Sequence, residues 1–358
     1  MKIGILTFHR AQNYGAVLQC YALQTFLSEK GHNVFILDYN KSELWNYYKW
    51  FLPQRFYFQR NIRTLIRRYC KELLLLPIRK KRYDGFIHFN KKYLNTISLS
   101  EINDNPFDII IVGSDQVWDI EITHGFDSMY WGNFKKPTNT KLISYAASLE
   151  TYWKPEDDKN VLRYLRNFDV IGVREDRIKN KLNSINSSLL ISVVPDPTLI
   201  LNESNWTQLV KKSKIKEPYI LVYQARNSDL LVKKAIQFAQ KLKIKLLFLS
   251  AGIEKFNSRE CICASPEDFL TLFKNATYII SSSFHGVVFS LIFNKPFTAI
   301  RLNDGKDGRI INLLRKIKRE NYLCDIDSDI EYHNSCGNIS DLNYDPVSIA
   351  DNFFNKIL

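Results

Sequence analysis

Paired cysteines are missing from this chain: its six cysteines, at 20, 70, 261, 263, 324 and 336, show no CxxC spacing. That argues against a structural zinc site and a disulfide framework, and it suits a reducing cytosol. No cluster of metal-ligand side chains is visible, so neither a metal nor a bound cofactor is expected. A secretory leader is also missing, because Lys2 runs straight into the strand-like IGILTF without a long apolar stretch or small-residue cleavage site. No apolar run approaches the ~20 residues of a membrane span. There is no GxGxxG fingerprint, no internal sequence repeat and no low-complexity tract. Secreted disulfide scaffolds, zinc modules and membrane-spanning proteins are thereby set aside, and a cytoplasmic location is expected.

What is present is a chain of 358 residues with 45% hydrophobic content, enough for two cored domains of about 150 residues each. The net charge of +13 is localised: residues 41–93 carry fourteen Lys/Arg against three Asp/Glu. Trp45, Tyr47, Tyr48, Trp50, Phe51, Phe56, Tyr57 and Phe58 are interleaved with those cations. Basic residues mixed with aromatics suggest an anionic surface, whether a membrane interface, a lipid diphosphate or nucleic acid. The plainer reading is a solvated helical pair that covers one domain.

The first half alternates strands and helices. Lys2 to Phe8 is apolar enough for a buried strand, His9 to Ala16 is a loop, and Val17 to Lys30 carries a helical apolar face closed by Gly31. In the loop, Asn13 and Tyr14 are suited to orienting a sugar-like ligand, and Gly15 to close backbone approach. Phe107 to Val112 is a buried strand running into Gly113, Ser114, Asp115, Gln116, Val117 and Trp118. A carboxylate just past a strand end accepts from hydroxyls or acts as a base, and an indole stacks on a pyranose face. An Asp cap above a packed Trp explains the same spacing. Strands at Lys141 to Ala147 and Asp169 to Val173 follow. Arg174, at the second strand's end, is either an anion clamp or a partner of Glu175 or Asp176. Val193 to Leu201, with two prolines around Asp196, closes the first domain.

A second α/β unit restarts at Pro218, with strands at Tyr219 to Tyr223 and Lys245 to Leu249 around a helix at Asp229 to Lys241. Its centre is TYIISSSFHGVVFSLIFNKPFTAIRL, Thr277 to Leu302. A strand, Thr277 to Ile280, leads into Ser281, Ser282 and Ser283, then His285 and Gly286, where an apolar helix begins. A hydroxyl-rich loop and a histidine thus sit where a strand ends and a helix starts, the place where α/β proteins bind ligands. Gly286 lets the backbone approach an anion. Arg301, Lys306 and Arg309 follow and would complete a positive pocket. The alternative is a serine cap run with a packed histidine.

NYGAVLQCYALQ (13–24), DIIIVGSDQVWD (108–119), SYAAS (144–148), GVRED (172–176), PDPTLIL (195–201) and SSSFHG (281–286) together resemble the polysaccharide pyruvyl transferase family. The resemblance covers most of residues 1–317 in order. It implies an α/β protein of two facing Rossmann-like domains, GT-B-like, here with a basic helical segment inserted in the first. Residues 1–200 would form the acceptor side, 201–340 the donor side, and 341–358 a C-terminal helix. It also implies phosphoenolpyruvate as donor and a sugar hydroxyl pair of a surface-polysaccharide precursor as acceptor. Pyruvate would be left as a cyclic ketal and phosphate released. One motif departs from the family: where other members carry Arg-Leu-His-Gly, this chain has Ser283, Phe284, His285 and Gly286. The histidine is kept and the arginine is not.

Ketal formation needs an acid, an anion cradle and a group that deprotonates hydroxyls. His285 is the candidate acid or phosphate contact and Asp115 the candidate base. Arg174, Ser281, Ser282, Ser283, Gly286, Arg301, Lys306 and Arg309 are the candidate donor contacts. Asn13, Tyr14, Gly15, Gln116 and Trp118 are the candidate acceptor contacts. A GT-B glycosyltransferase with a nucleotide-sugar donor shares this architecture, and product analysis separates the two. A basic nucleic-acid-binding protein is the rival of another class. Residues 41–93 lack a recognised reader motif, so no nucleic acid is expected. A lipid-diphosphate-linked acceptor on an anionic membrane face is a further expected partner. If the basic segment meets that face, the protein co-sediments with anionic vesicles at low salt and is released at high salt. Equal, negligible binding to zwitterionic and anionic vesicles would refute the contact.

Overall fold

The computed structural model describes residues 1–41, 62–104, 106–224, 226–250, 261–262, 264–335 and 344–358. The first sheet contains β1 (Lys2–Leu6), β2 (Asn33–Asp38), β3 (Thr96–Ser98), β4 (Ile109–Val112), β5 (Lys141–Ala147), β6 (Val170–Val173) and β7 (Ile191–Val193). They lie in the order β3-β2-β1-β4-β5-β6-β7. The second contains β8 (Tyr219–Gln224), β9 (Lys245–Ser250), β10 (Cys261–Ile262), β11 (Tyr278–Ser281), β12 (Phe297–Arg301) and β13 (Leu323–Asp325), in the order β10-β9-β8-β11-β12-β13. Neighbouring strands pair in parallel throughout, with Ile3 beside Ile109 in the first sheet and Ile220 beside Tyr278 in the second. Counted from its own first strand, each sheet contains the doubly wound order 3-2-1-4-5-6, which the first sheet extends by a seventh strand, β7. Two Rossmann-like units therefore face each other in a GT-B-like arrangement.

The apolar runs of β1, β4, β8 and β11 are buried because helices cover both faces of a parallel sheet. The short strands β3, β7, β10 and β13 escaped the sequence reading, since two or three residues are too few to show a period. The first helix, Tyr14–Glu29, starts earlier than the apolar pattern suggests. The Asn13 side chain accepts from the backbone N–H groups of Gly15 (3.0 Å) and Ala16 (3.4 Å) and so caps it. Likewise the helix expected from Gly286 begins at Phe284 and ends at Ile292.

Residues 42–61, with the aromatics from Trp45 to Phe58, lie outside the described residues, as do the side chains of Arg63, Arg67, Arg68 and Lys71. Ile62–Tyr93 is one helix with Pro77 inside it. Lys80, Lys81, Lys91 and Lys92 face water, but Arg79 and Arg82 turn inward and are buried. Arg82 donates from Nη1 to the Tyr14 hydroxyl (2.7 Å) and from Nη2 to the Gln12 carbonyl (2.8 Å). Its guanidinium also lies 4.6 Å from the Tyr14 ring centre and 5.1 Å from that of Phe86. Tyr14 in turn stacks on Phe269 of the second unit, with centroids 4.7 Å apart. The helix is thus a strap across both units, and part of its charge is an internal anchor. Tyr14, Phe86, Tyr223 and Phe269 share one apolar core that crosses the junction.

The C-terminal helix, Pro346–Phe354, returns to the first unit. Phe354 stacks on Tyr145 at 4.8 Å, and Lys141 Nζ donates to the Ile357 carbonyl at 3.0 Å. Among the described residues no helix is long and apolar enough to cross a membrane. Replacing Arg82 by Ala removes both hydrogen bonds and the stem packed on Tyr14. It should lower unfolding stability by about 2–4 kcal/mol, read by urea denaturation. A change below about 0.5 kcal/mol would show that the strap is not anchored there.

Candidate active site

In a doubly wound sheet the loops leaving the strands on either side of the order reversal separate and open a crevice. Here two such crevices face each other, one between β1 and β4 and one between β8 and β11. The first unit contributes Phe8, Ala11, Asn13, Asp115 and Gln116. The second contributes Tyr223 near the end of β8 and Arg226 past it, Ser282, Ser283, Phe284 and His285 past β11, and Lys306 and Arg309 past β12. Between them lies an open cleft of about 710 Å³. Asp115 holds a left-handed backbone (φ 77°), stabilised by its carbonyl, which accepts from Val117 N (2.8 Å) and Ser148 N (2.9 Å).

Below the cleft floor is a buried charge network. Arg174 Nη2 lies 2.9 Å from Asp196 Oδ2 and 3.8 Å from Asp115 Oδ1, and it donates to Ser114 Oγ at 2.6 Å. His285 Nε2 stands 3.5 Å from the same Asp196 oxygen. Asp196 Oδ1 accepts from Thr198 N (2.9 Å) and Thr198 Oγ1 (2.5 Å). Burial opposes a charge on Asp196, but Arg174 and then His285 outweigh it and hold the carboxyl well below the usual range. Burial likewise opposes the Arg174 charge, and Asp196, Asp115, Glu175 and Glu150 reverse that, so Arg174 stays protonated. Glu175 differs: burial raises its pKa despite Arg174, Arg309 and Arg177, and Ser148 Oγ donates to both its oxygens at 2.9 and 3.1 Å.

The expected contacts divide. Asn13, Asp115, Gln116, Ser282, Ser283, His285, Lys306 and Arg309 line the cleft. Arg174 instead lines a smaller recess behind Phe284, with Asp196 and Glu175. The Phe284 ring lies between the Arg174 and Arg309 guanidiniums, at 5.4 and 5.9 Å. Arg301 is no donor clamp: it pairs with Asp325 through Nε and through Nη2 at 2.6 Å, outside the cleft lining. Trp118 offers no stacking face, since it is fully buried against Trp131 at 5.1 Å and donates Nε1 to the Tyr130 carbonyl at 2.9 Å. The Tyr14 hydroxyl is committed to Ala264 O at 3.0 Å and to Arg82. Ser281 Oγ is engaged by neighbouring backbone, donating to the Tyr223 carbonyl of β8 (3.0 Å) and accepting from Ser283 N (3.1 Å). A Cβ on Gly286 would strike that oxygen, so Gly286 allows close packing of the loop. Gly15 plays the same part toward His285, whose ring a Cβ there would overlap.

Sequence reasoning passed over Tyr223, Arg226, Phe8 and the role of Asp196. Arg226 follows β8 as Asp115 follows β4, a symmetry legible once each half is read as one fold. Asp196 between two prolines was the available signal for a fixed carboxylate. Arg226 is already neutralised, by Asp304 (2.5 and 3.0 Å) and Asp307 (2.6 Å). Two lining cations are shared with the first unit. Arg309 Nε lies 3.3 Å from Glu150 Oε2, and Lys306 Nζ 3.4 Å from Glu121 Oε2. Among the described residues no three His, Cys, Asp or Glu side chains group as metal ligands would.

Two parallel sheets meeting over a polar, cation-lined cleft define an α/β protein of two Rossmann-like domains with a cleft between them. The profile of the family described as polysaccharide pyruvyl transferase matches residues 13–304, and the chain belongs to that family. No curated protein matches the chain. Among solved structures, it is similar to the UDP-GlcNAc 2-epimerase from Methanocaldococcus jannaschii, with 13% identity, 99% of each chain covered and a TM-score of 0.48. The S. aureus MnaA-UDP structure shares 13% identity over 84% of this chain and 79% of the other, with a TM-score of 0.45. The glycosyltransferase SnogD from Streptomyces nogalater shares 10% over 91% and 86%, with a TM-score of 0.37.

The loop that brings Phe8, Ala11 and Asn13 to the cleft is braced from behind. His9 Nε2 lies 2.9 Å from Asp38 Oδ1, and Arg10 donates to both Asp38 oxygens at 2.6 and 2.5 Å. Asn90 donates to the His9 carbonyl at 2.8 Å. The His9 contact, then Arg10, depress the Asp38 pKa against the opposing effect of burial. A depressed carboxylate stabilises the fold above its unfolded pKa, about 3.9, and loses that contribution as pH falls toward the folded value. Asp38→Asn should therefore melt below the parent at pH 7, with the gap in Tm closing progressively below about pH 4. A gap that is constant from pH 7 to pH 3 would exclude this ionic brace.

Proposed function

We propose that the protein transfers the pyruvyl unit of phosphoenolpyruvate to a hydroxyl pair of a polysaccharide precursor, forming a cyclic ketal and releasing phosphate. The observation that carries this reading is the convergence, in a pyruvyl transferase family member, of His285 and Asp115 from opposite units on one cation-lined cleft. A proton delivered by His285 to the methylene carbon turns it into the ketal methyl group and leaves an oxocarbenium-like carbon beside the carboxylate. One acceptor hydroxyl adds to that carbon and gives up its proton to Asp115. Phosphate then departs with the enol oxygen, and the second hydroxyl closes the ring, its proton leaving with phosphate and solvent. General acid and base groups with a pre-formed anion cradle are what such a sequence demands.

Lys306 and Arg309 would receive the carboxylate and phosphate charges, exchanging their present glutamate partners for the ligand. Ser282 Oγ, buried and without a hydrogen-bond partner, supplies a further neutral donor. Ser283 stands where the family pattern has arginine, so the donor's charge falls on the start of the helix Gly308–Lys316. Asn13 and Gln116 face the acceptor. A lipid-diphosphate carrier at an anionic membrane face is the acceptor context that the basic segment favours.

Incubation with phosphoenolpyruvate and candidate glycans, followed by mass spectrometry, should show a gain of one pyruvyl ketal with stoichiometric phosphate. Release of a nucleoside diphosphate from a nucleotide sugar would instead identify a glycosyltransferase. His285→Ala should lower turnover by ~10²-fold or more while the fold is retained. Normal turnover in that variant would remove His285 from the chemistry.

A further inference from the structure

His285 belongs to the second unit, but what fixes its ring comes from the first. Its Nε2 is enclosed without a hydrogen-bond partner, and Asp196 Oδ2 stands 3.5 Å away. Asp196 is immobilised in turn, by two bonds from Thr198 on one oxygen and by Arg174 on the other. On another side lies Gly15. A Cβ built there would overlap the imidazole most closely at Nδ1 and less at Cε1 and Cγ, which is a position over the face of the ring at Nδ1. The ring is thus held at one edge by a carboxylate and on one face by a bare α-carbon. Nδ1 is the nitrogen left for the cleft.

We infer that Asp196 and Gly15 are positioning residues: Asp196 keeps the proton of neutral His285 on Nε2, and Gly15 leaves room for the ring to present Nδ1 to the donor. A carboxylate against one imidazole nitrogen selects the tautomer protonated there and frees the other nitrogen for proton transfer. Asp115, Tyr223 and Arg309 line the same cleft as His285, and the Phe284 ring lies edge-on to the imidazole at 5.1 Å. Among the described residues, Asp196 is the carboxylate within ion-pair reach of the imidazole. The identity of the donor rests on the proposed pyruvyl transfer, but the tautomer is a property of the unliganded protein and is measurable without any substrate.

The test is nitrogen NMR of the full chain labelled at histidine, with the His285 signals assigned by their loss in His285→Gln. The expected result is a pyrrole-type shift at Nε2 and a pyridine-type shift at Nδ1 in the neutral ring. Thr198→Val removes a donor that aims Asp196 yet keeps its charge, so it should move the balance toward the Nδ1–H tautomer; Thr198→Ser should restore it. Turnover in Thr198→Val should drop ~10-fold, and in Asp196→Asn ~10–100-fold, with KM changed less than ~3-fold. Asp196→Asn leaves Arg174 unpaired in the interior, so Thr198→Val and Gly15→Ala carry the test if that variant does not fold. Gly15→Ala should displace the ring signals and cut kcat while melting as a folded protein. A dominant Nδ1–H tautomer in the parent, or unchanged shifts and kcat in both Thr198→Val and Gly15→Ala, would overturn the assignment. If the tautomer is as described and phosphoenolpyruvate is not turned over, the pyruvyl reading fails and the positioning stands.

Discussion

Asp196 sits fully buried where the two units meet, and its charge is tolerable there because Arg174 stands 2.9 Å away and His285 3.5 Å away. Removing one partner of such a cluster leaves an uncompensated charge in a low-dielectric interior, which costs several kcal/mol. The first unit supplies the carboxylate and the arginine, and the second supplies the histidine. The histidine's surroundings therefore exist only when the units are docked, and the aromatic seam around Tyr14 and Phe269 is what docks them. Arg82 extends that seam into the helix Ile62–Tyr93, so a segment far from the cleft in sequence helps fix the geometry at His285.

The same docking sets the electrostatics of the cleft. Arg309 and Lys306 reach across to Glu150 and Glu121 of the first unit. An incoming anion must compete with these pairs, and by winning them it would loosen two links between the units. Arg226 is held more tightly, by two aspartates of its own unit. The cleft thus presents few unengaged cations, and an anion is favoured mainly where a glutamate partner yields. Phe284 adds a geometric control, because its ring separates Arg174 from Arg309 and closes the recess behind the cleft.

Much of the fold was legible in the residues. The buried strands Ile109–Val112 and Tyr278–Ser281 announce themselves as apolar β-rich runs. The loops that line the cleft were legible for the same reason, since a strand end followed by a helix start is a local pattern. That pattern singles out the segments holding His285, Asp115, Gln116 and Asn13, all of which line the cleft. Trp118, Tyr14 and Arg301 were misplaced because their side-chain directions depend on neighbours remote in sequence. For Trp118 the neighbour is Trp131, for Tyr14 it is Phe269 and Arg82, and for Arg301 it is Asp325.

By itself the sequence determined the alternation of strand and helix, the two-unit plan and the family's loop residues, because these rest on interactions within a few residues or on periodicity. Tertiary structure alone decided which polar side chains meet. Strand order 3-2-1-4-5-6 brings β1 beside β4 and β8 beside β11 across more than fifty intervening residues in each case, and no local rule encodes that adjacency. It also decided what the glycines lie against: a Cβ on Gly15 would meet His285, and one on Gly286 would meet Ser281. The physical reason is that burial and ion pairing depend on distance in space, and the chain brings Asp196, Arg174 and His285 to one point only after both sheets have formed and packed.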